Sequence, residues 1–274
     1  MLRLLFPLIL FSCHMRNPEK EIAAANISNK ELSVSNSKFD PNIQTIHVLV
    51  ALCDNKYQGI VPVPAKIGNG QDPDNNLYWG CAYGMRSYFK KSNNWLLLKR
   101  SKVDSIKMER LIFKHKKSNY YLVADAYNGQ YIKQCTIDFF ESCSGKVKDI
   151  LDIDGTSIGI YGNAKLLSYI GHDGLMDFRL TRSFEHTDDQ IRDAIVLACY
   201  SKRFFGPLLQ QTKARPLVWS THLMSPEAYT LHDALESYIK KEPAENTRTA
   251  AARAYARYQK CSEKAARGLL VTGY

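Results

Sequence analysis

The sequence predicts an α/β domain with a mainly parallel sheet and helices on both of its faces. Three observations carry this expectation. Runs such as "IHVLVALCD" (46–54), "YYLVADAY" (120–127) and "DAIVLACYS" (193–201) are too short for helices and apolar on both alternating sides, as strands covered on both faces must be. Stretches of helical spacing alternate with these runs, the order that builds parallel sheets through crossover helices. A chain of 274 residues, 45% of them hydrophobic, can also bury one substantial core, and its length favours a single folded domain.

The elements follow in chain order. "MLRLLFPLILFSC" carries a basic residue and then an apolar run too short to span a bilayer, which reads as an export signal. Its end, Leu10-Phe11-Ser12-Cys13, resembles the lipobox of bacterial lipoproteins and implies lipidation of Cys13. Residues 1–13 are therefore expected to be a signal and 14–44, rich in Asn, Ser, Lys and Glu, a polar tether. The folded domain is expected over 45–274. The resulting expectation is an exported lipoprotein, membrane-anchored through Cys13 in the periplasm or at the cell surface.

After the first strand, "VPVP" and "GNGQDPDNN" mark a long loop. A helix is expected over Leu77–Ser92, then a basic hairpin from Trp95–Lys99 and Arg110–His115. The strand 120–127 leads through Asn128-Gly129 to a helix over Ile132–Cys143. "AKLLSYIGH" (164–172) is a strand that stops at His172, and "FRLTRS" is expected to be a small hairpin arm. Thr187 and Gln190 have capping-box spacing for a short helix. The strand 193–201 ends at Cys199, and "RPLVWSTHL" supplies one more. Ser225-Pro226 opens a helix with Ala228, Leu231, Leu235, Tyr238 and Ile239 on one face. Thr249–Arg267 is expected to be the final helix.

The formal charge is +10, unevenly placed. Between Arg86 and Lys117 lie eleven basic residues opposed only by Asp104 and Glu109. Such a stretch is a solvated surface, or a patch for anionic lipid heads or another polyanion. No nucleic-acid recognition motif accompanies it, so nucleic acid is not an expected partner. The seven cysteines form no C-x-x-C pair and no Cys/His zinc spacing, and neither metal nor cofactor is expected. An exported chain can pair some of them as disulfides, with no pairing specified by the spacing.

In open α/β sheets reactive groups gather beyond the carboxyl ends of the strands, where the loops leave the sheet. Two strands in succession end here on competent residues, His172 and Cys199. A thiol is a weak nucleophile until ionised, and an imidazole beside it can take its proton and later protonate a leaving amine.

A strand ending His-Gly followed by a strand ending Ala-Cys resembles the caspase-like cysteine peptidases, which include caspases, metacaspases, legumains and gingipains. "LACYS", with Ala198, Cys199 and Ser201, resembles the nucleophile strand of bacterial metacaspases, and "HVLVALCDN" is similar to their opening strand. The resemblance covers roughly residues 45–240 in topology and implies a caspase-like sheet. It implies a catalytic dyad of Cys199 and His172 that hydrolyses peptide bonds in a protein or peptide substrate, and oxyanion donors at the backbone of Gly174 and Cys199. It also implies a substrate pocket lined by Asp54, Trp219, Ser220 and Thr221. The sequence departs from the family at Asp173, which intervenes between His172 and Gly174, and in the short spacing of the dyad.

Two rival readings belong to other classes. The chain can be a caspase-like binding or scaffold lipoprotein without catalysis, using aromatic loops such as "NNLYWGCAYG". "ILDIDGTSI" (150–158) matches the Asp-x-Asp-Gly-Thr motif of haloacid-dehalogenase-type phosphatases and would nominate Asp152 and Asp154 as Mg²⁺-assisted groups. A turn rich in Asp and Gly accounts for it more simply, and no downstream metal motif follows.

Overall fold

A computed structural model describes residue 40 and residues 42–274. Cys13 and nearly all of the expected signal and tether lie outside the described residues. Among the described residues ten strands are formed: β1 (Gln44–Ala51), β2 (Trp95–Ser101), β3 (Lys107–His115), β4 (Tyr120–Tyr127), β5 (Lys148–Ile153), β6 (Thr156–Tyr161), β7 (Leu166–Ile170), β8 (Asp193–Leu197), β9 (Arg215–Ser220) and β10 (Leu270–Val271). The helices are α1 (Met85–Lys90), α2 (Ile132–Ser144), α3 (Ser201–Gln211), α4 (Ala228–Ile239), α5 (Ala244–Gln259) and α6 (Glu263–Leu269).

Eight strands form one sheet in the order β10-β9-β8-β7-β1-β4-β3-β2, and β5 and β6 form a separate hairpin. The five central strands, from β9 to β4, run parallel, and β10, β3 and β2 are antiparallel additions at the two margins. The chain is thus an α/β protein with a large, mainly parallel sheet.

The continuous apolar strands are explained by what covers them. On β1, Ile46, Val48 and Val50 face a core completed by Tyr229, Leu231 and Leu235 of α4 and Ala251 and Tyr255 of α5. Leu49 and Ala51 face the opposite core, with Phe139 and Phe140 of α2 and Phe205 and Leu209 of α3. With no solvated face, every position favours an apolar side chain. Thr45 and His47 are the buried polar exceptions, and the fully buried His47 imidazole joins Asp125 of β4 and accepts the Tyr161 amide on Nδ1 at 3.0 Å.

Several expected elements take other forms. The helix expected over 77–92 is confined to Met85–Lys90, because residues 76–84 fold as turns around Asn76, whose side-chain Oδ1 accepts the amides of Cys53 and Tyr78. "FRLTRS" forms no strand, and the Thr187–Gln190 segment forms no helix. The Thr187 hydroxyl donates to the Ser144 carbonyl at the end of α2, and the Gln190 side-chain amide donates to the Ala164 carbonyl, so the capping groups are engaged elsewhere. The final helix is two helices. Lys260 terminates α5 in the left-handed region at φ 55°, and Ser262 caps α6 by accepting the Ala265 amide at 3.1 Å.

Candidate active site

The register of two strands sets the geometry. Ile170 of β7 pairs with Leu197 of β8 in parallel, so His172 and Cys199 each stand two residues beyond this last pair, on neighbouring strands at the same carboxyl edge. Gly171 makes this exit possible on the β7 side. It adopts φ +150°, donates to the Leu197 carbonyl at 3.2 Å, and a β-carbon there would meet the Ala51 carbonyl oxygen at 2.8 Å. The Tyr169 hydroxyl then donates to the His172 carbonyl at 2.8 Å, which holds the turn.

On the β8 side the turn lies immediately after the cysteine. Tyr200 takes φ +50° and donates its amide to the His222 carbonyl, and α3 starts at the next residue. Ser201 and Ser220 tie the ends of β8 and β9: the Ser201 hydroxyl donates to the Val196 carbonyl and accepts the Ser220 amide at 2.9 Å, and the Ser220 hydroxyl donates to the Ala198 carbonyl. The backbone on both sides of Cys199 is therefore held by buried hydrogen bonds.

The imidazole and the thiol each have another partner. His172 is 7% exposed and its Nε2 lies 2.7 Å from Asp177 Oδ2. The same carboxylate oxygen accepts the Gly59 amide at 2.9 Å, from the loop that follows β1. The half-buried Cys199 thiol donates to the Met224 carbonyl at 3.5 Å and accepts the Met224 amide at 3.4 Å. Burial pushes this thiol above its ordinary value; the Met224 amide partly offsets the shift and the charge of Asp173 adds to it.

Asp173, the residue that interrupts the His-Gly pattern, is fully buried. One carboxyl oxygen accepts the Leu175 amide and caps the 3-10 turn Gly174–Met176, and the other has no hydrogen-bond partner among the described residues. Burial pushes its carboxyl up to about 7. Gly174 has a packing reason of its own, since a β-carbon there would lie 2.6 Å from the Phe178 ring.

The residues expected to line a substrate pocket are mostly committed to structure. Asp54 is 1% exposed; it accepts the amides of Lys56 and Tyr57 and the Gln71 side chain, closing the loop after β1. Trp219 is fully buried in the core on the α3 side. Ser220 is buried in the tie described above, and only Thr221 reaches the surface, where it bonds to the Gly268 and Leu269 carbonyls.

Asp152 and Asp154 lie at the tight turn of the β5–β6 hairpin, with Asp154 and Gly155 both at positive φ and Asp152 accepting the Gly155 amide. The Asp-x-Asp-Gly-Thr stretch is a hairpin turn and not the end of a parallel strand. No cluster of three or more His, Cys, Asp or Glu suited to a metal ion occurs among the described residues. The six described cysteines are free thiols, so no disulfide forms among them.

Sequence reasoning passed over Asp177 as the partner of His172, and Asp173 as a buried acid beside the thiol. The only signal was two acidic residues in the five that follow the histidine, with no periodicity to single them out. The chain matches no protein-family model, no curated protein and no solved structure.

Proposed function

We propose that the chain is a caspase-like cysteine endopeptidase in which Cys199 is the nucleophile and His172 the acid/base. The observation that carries this reading is the shared register of the two residues at the carboxyl edge of adjacent parallel strands. The imidazole takes the proton from Sγ, and the thiolate attacks the peptide carbonyl to form a tetrahedral adduct. The C–N bond breaks as the imidazolium gives its proton to the departing amine, and water hydrolyses the thioester. The Gly174 and Cys199 amides are the proposed oxyanion donors, each worth roughly 3 kcal/mol in the transition state. Because Met224 engages the thiol while Asp177 orients the imidazole through Nε2, the active arrangement requires the Cys199 side chain to rotate away from Met224.

In this reading the enzyme is an exported lipoprotein anchored through Cys13, acting on protein or peptide substrates. The test is cleavage of a peptide library by the wild-type chain, Cys199→Ala and His172→Ala. Cleavage by the wild type alone supports the dyad, and cleavage retained by both variants rejects it.

A second reading is a binding or scaffold lipoprotein of the same fold without catalysis. It is favoured by the upward shift of the Cys199 thiol and by its engagement with Met224. An electrophilic peptide probe separates the two readings, because only an activated Cys199 is labelled.

A further inference from the structure

The sheet ends at β2, and this margin carries a combination of side chains that the proposed peptidase does not use. Leu96 pairs across the sheet with Lys114, and Lys114 with Tyr121, so the three form one row on the face that also carries the hairpin. The β5–β6 hairpin covers Ile112 and Val123 on this face but leaves the row open: Leu96 is 52% exposed, and Lys114 and Tyr121 are half-buried. Leu98, the extra residue of the β-bulge between Leu97 and Lys99, is 41% exposed. Beside the row a hollow of about 560 Å³ is lined by Leu96, Lys114, Lys116 and Lys117 among others.

The positive charge here is not neutralised. The nearby carboxylates are engaged by other groups: Glu109 and Asp74 pair with Arg86 and Arg100, Asp125 with Arg110, Glu236 faces His115, and the exposed Asp104 accepts the Ile106 and Lys107 amides and pairs with none of these lysines. Among the described residues, Lys99, Lys102, Lys114, Lys116 and Lys117 have no carboxylate partner, and Lys114 instead lies 4.2 Å above the Tyr121 ring. Lysines on an edge strand also block edge-to-edge pairing, which accounts for the charges but not for exposed leucines between them.

We propose that the β2 margin and the turn after β3 dock this protein on an anionic lipid bilayer. The lysines meet the phosphate groups, and Leu96 and Leu98 enter the boundary between headgroups and acyl chains. A soluble polyanion would satisfy the lysines and leave the leucines in water, so the bilayer is the partner that fits both. The proposal is independent of the Cys199 chemistry and of lipidation at Cys13.

The full chain carrying Cys13→Ser is sedimented with vesicles of phosphatidylcholine, alone or mixed with phosphatidylglycerol. The expected result is stronger binding to the mixed vesicles, weakened on the order of a hundredfold by Lys99→Gln, Lys116→Gln and Lys117→Gln together. Leu96→Ser with Leu98→Ser also weakens binding, and an unchanged melting temperature shows that each variant folds. Equal binding by the lysine variant overturns the proposal. Unchanged binding by the leucine variant, with free heparin displacing the vesicles, overturns it in favour of a polyanion site.

Discussion

One oxygen of Asp177 joins two segments that are distant in sequence: it accepts the Gly59 amide at 2.9 Å and lies 2.7 Å from Nε2 of His172. A carboxylate only accepts hydrogen bonds, so Nε2 carries the proton and Nδ1 is left as the base atom of the ring. Under the proposed peptidase reading, Asp177→Ala is expected to lower kcat for peptide cleavage about a hundredfold with little change in KM, because the ring loses its orientation and tautomer. Stability falls by about 1 kcal/mol from the lost hydrogen bonds. Steady-state kinetics and urea unfolding measure the two effects. Unchanged kcat in Asp177→Ala removes Asp177 from the mechanism.

Asp173 makes stability depend on pH in the direction opposite to a paired carboxylate. Its folded value is raised to about 7 from the ordinary 3.8, so between these limits the folded chain holds a proton that the unfolded chain has released. Its stabilising contribution is complete below pH 3.8 and is lost as the pH rises to about 7. Asp173→Asn keeps an oxygen for the Leu175 amide and is expected to flatten this slope, as followed by urea midpoints across the window. The same variant removes a negative charge that opposes the Cys199 thiolate. The rate of Cys199 alkylation at pH 8 should therefore rise several-fold relative to wild type.

His47 acts with the opposite sign. Burial holds the imidazole below its ordinary 6.5, so the unfolded chain binds the proton first and stability falls as the pH drops below 6.5. Asp125, bound by both Arg110 and His47, is lowered to about 2, and its contribution is lost as the pH falls from 3.8 toward that value. Asp125→Asn leaves the Arg110 guanidinium buried without its counter-charge and is expected to cost about 3–5 kcal/mol, measured by chemical denaturation at pH 7. A loss below 1 kcal/mol would show that the pair is dispensable.

The break between α5 and α6 can be tested separately from the site. Lys260 holds a left-handed conformation that suits glycine, and Lys260→Gly is expected to stabilise the chain by about 0.5–1 kcal/mol. Ser262→Ala removes the acceptor for the Ala265 amide and is expected to cost about 1 kcal/mol. Calorimetric melting temperatures should move in opposite directions for the two variants.

How much of this was legible beforehand depended on the range of the interactions involved. β1, β4 and β8 announced themselves because both faces of each are buried, which leaves a local record of unbroken apolar residues. The break at Lys260 was missed because the apolar face continues on both sides of it, and only the backbone at one residue separates the helices. The capping-box spacing of Thr187 and Gln190 misled because the Ser144 and Ala164 carbonyls, from elsewhere in the fold, engage their side chains.

By itself the sequence determined the α/β class, the order of most elements, and that His172 and Cys199 would each follow closely on the end of a strand, two residues past β7 and β8. Patterns of burial and turn formation act over a few neighbouring residues and are written there. Only the tertiary structure decided that β7 lies beside β8 in a register that brings those two ends level. It also decided that Asp54 closes a loop, that Asp177 holds the imidazole and that Asp173 is buried beside the thiol. Each of these depends on which distant segment arrives to supply a donor, an acceptor or a covering surface, and local spacing carries no record of that.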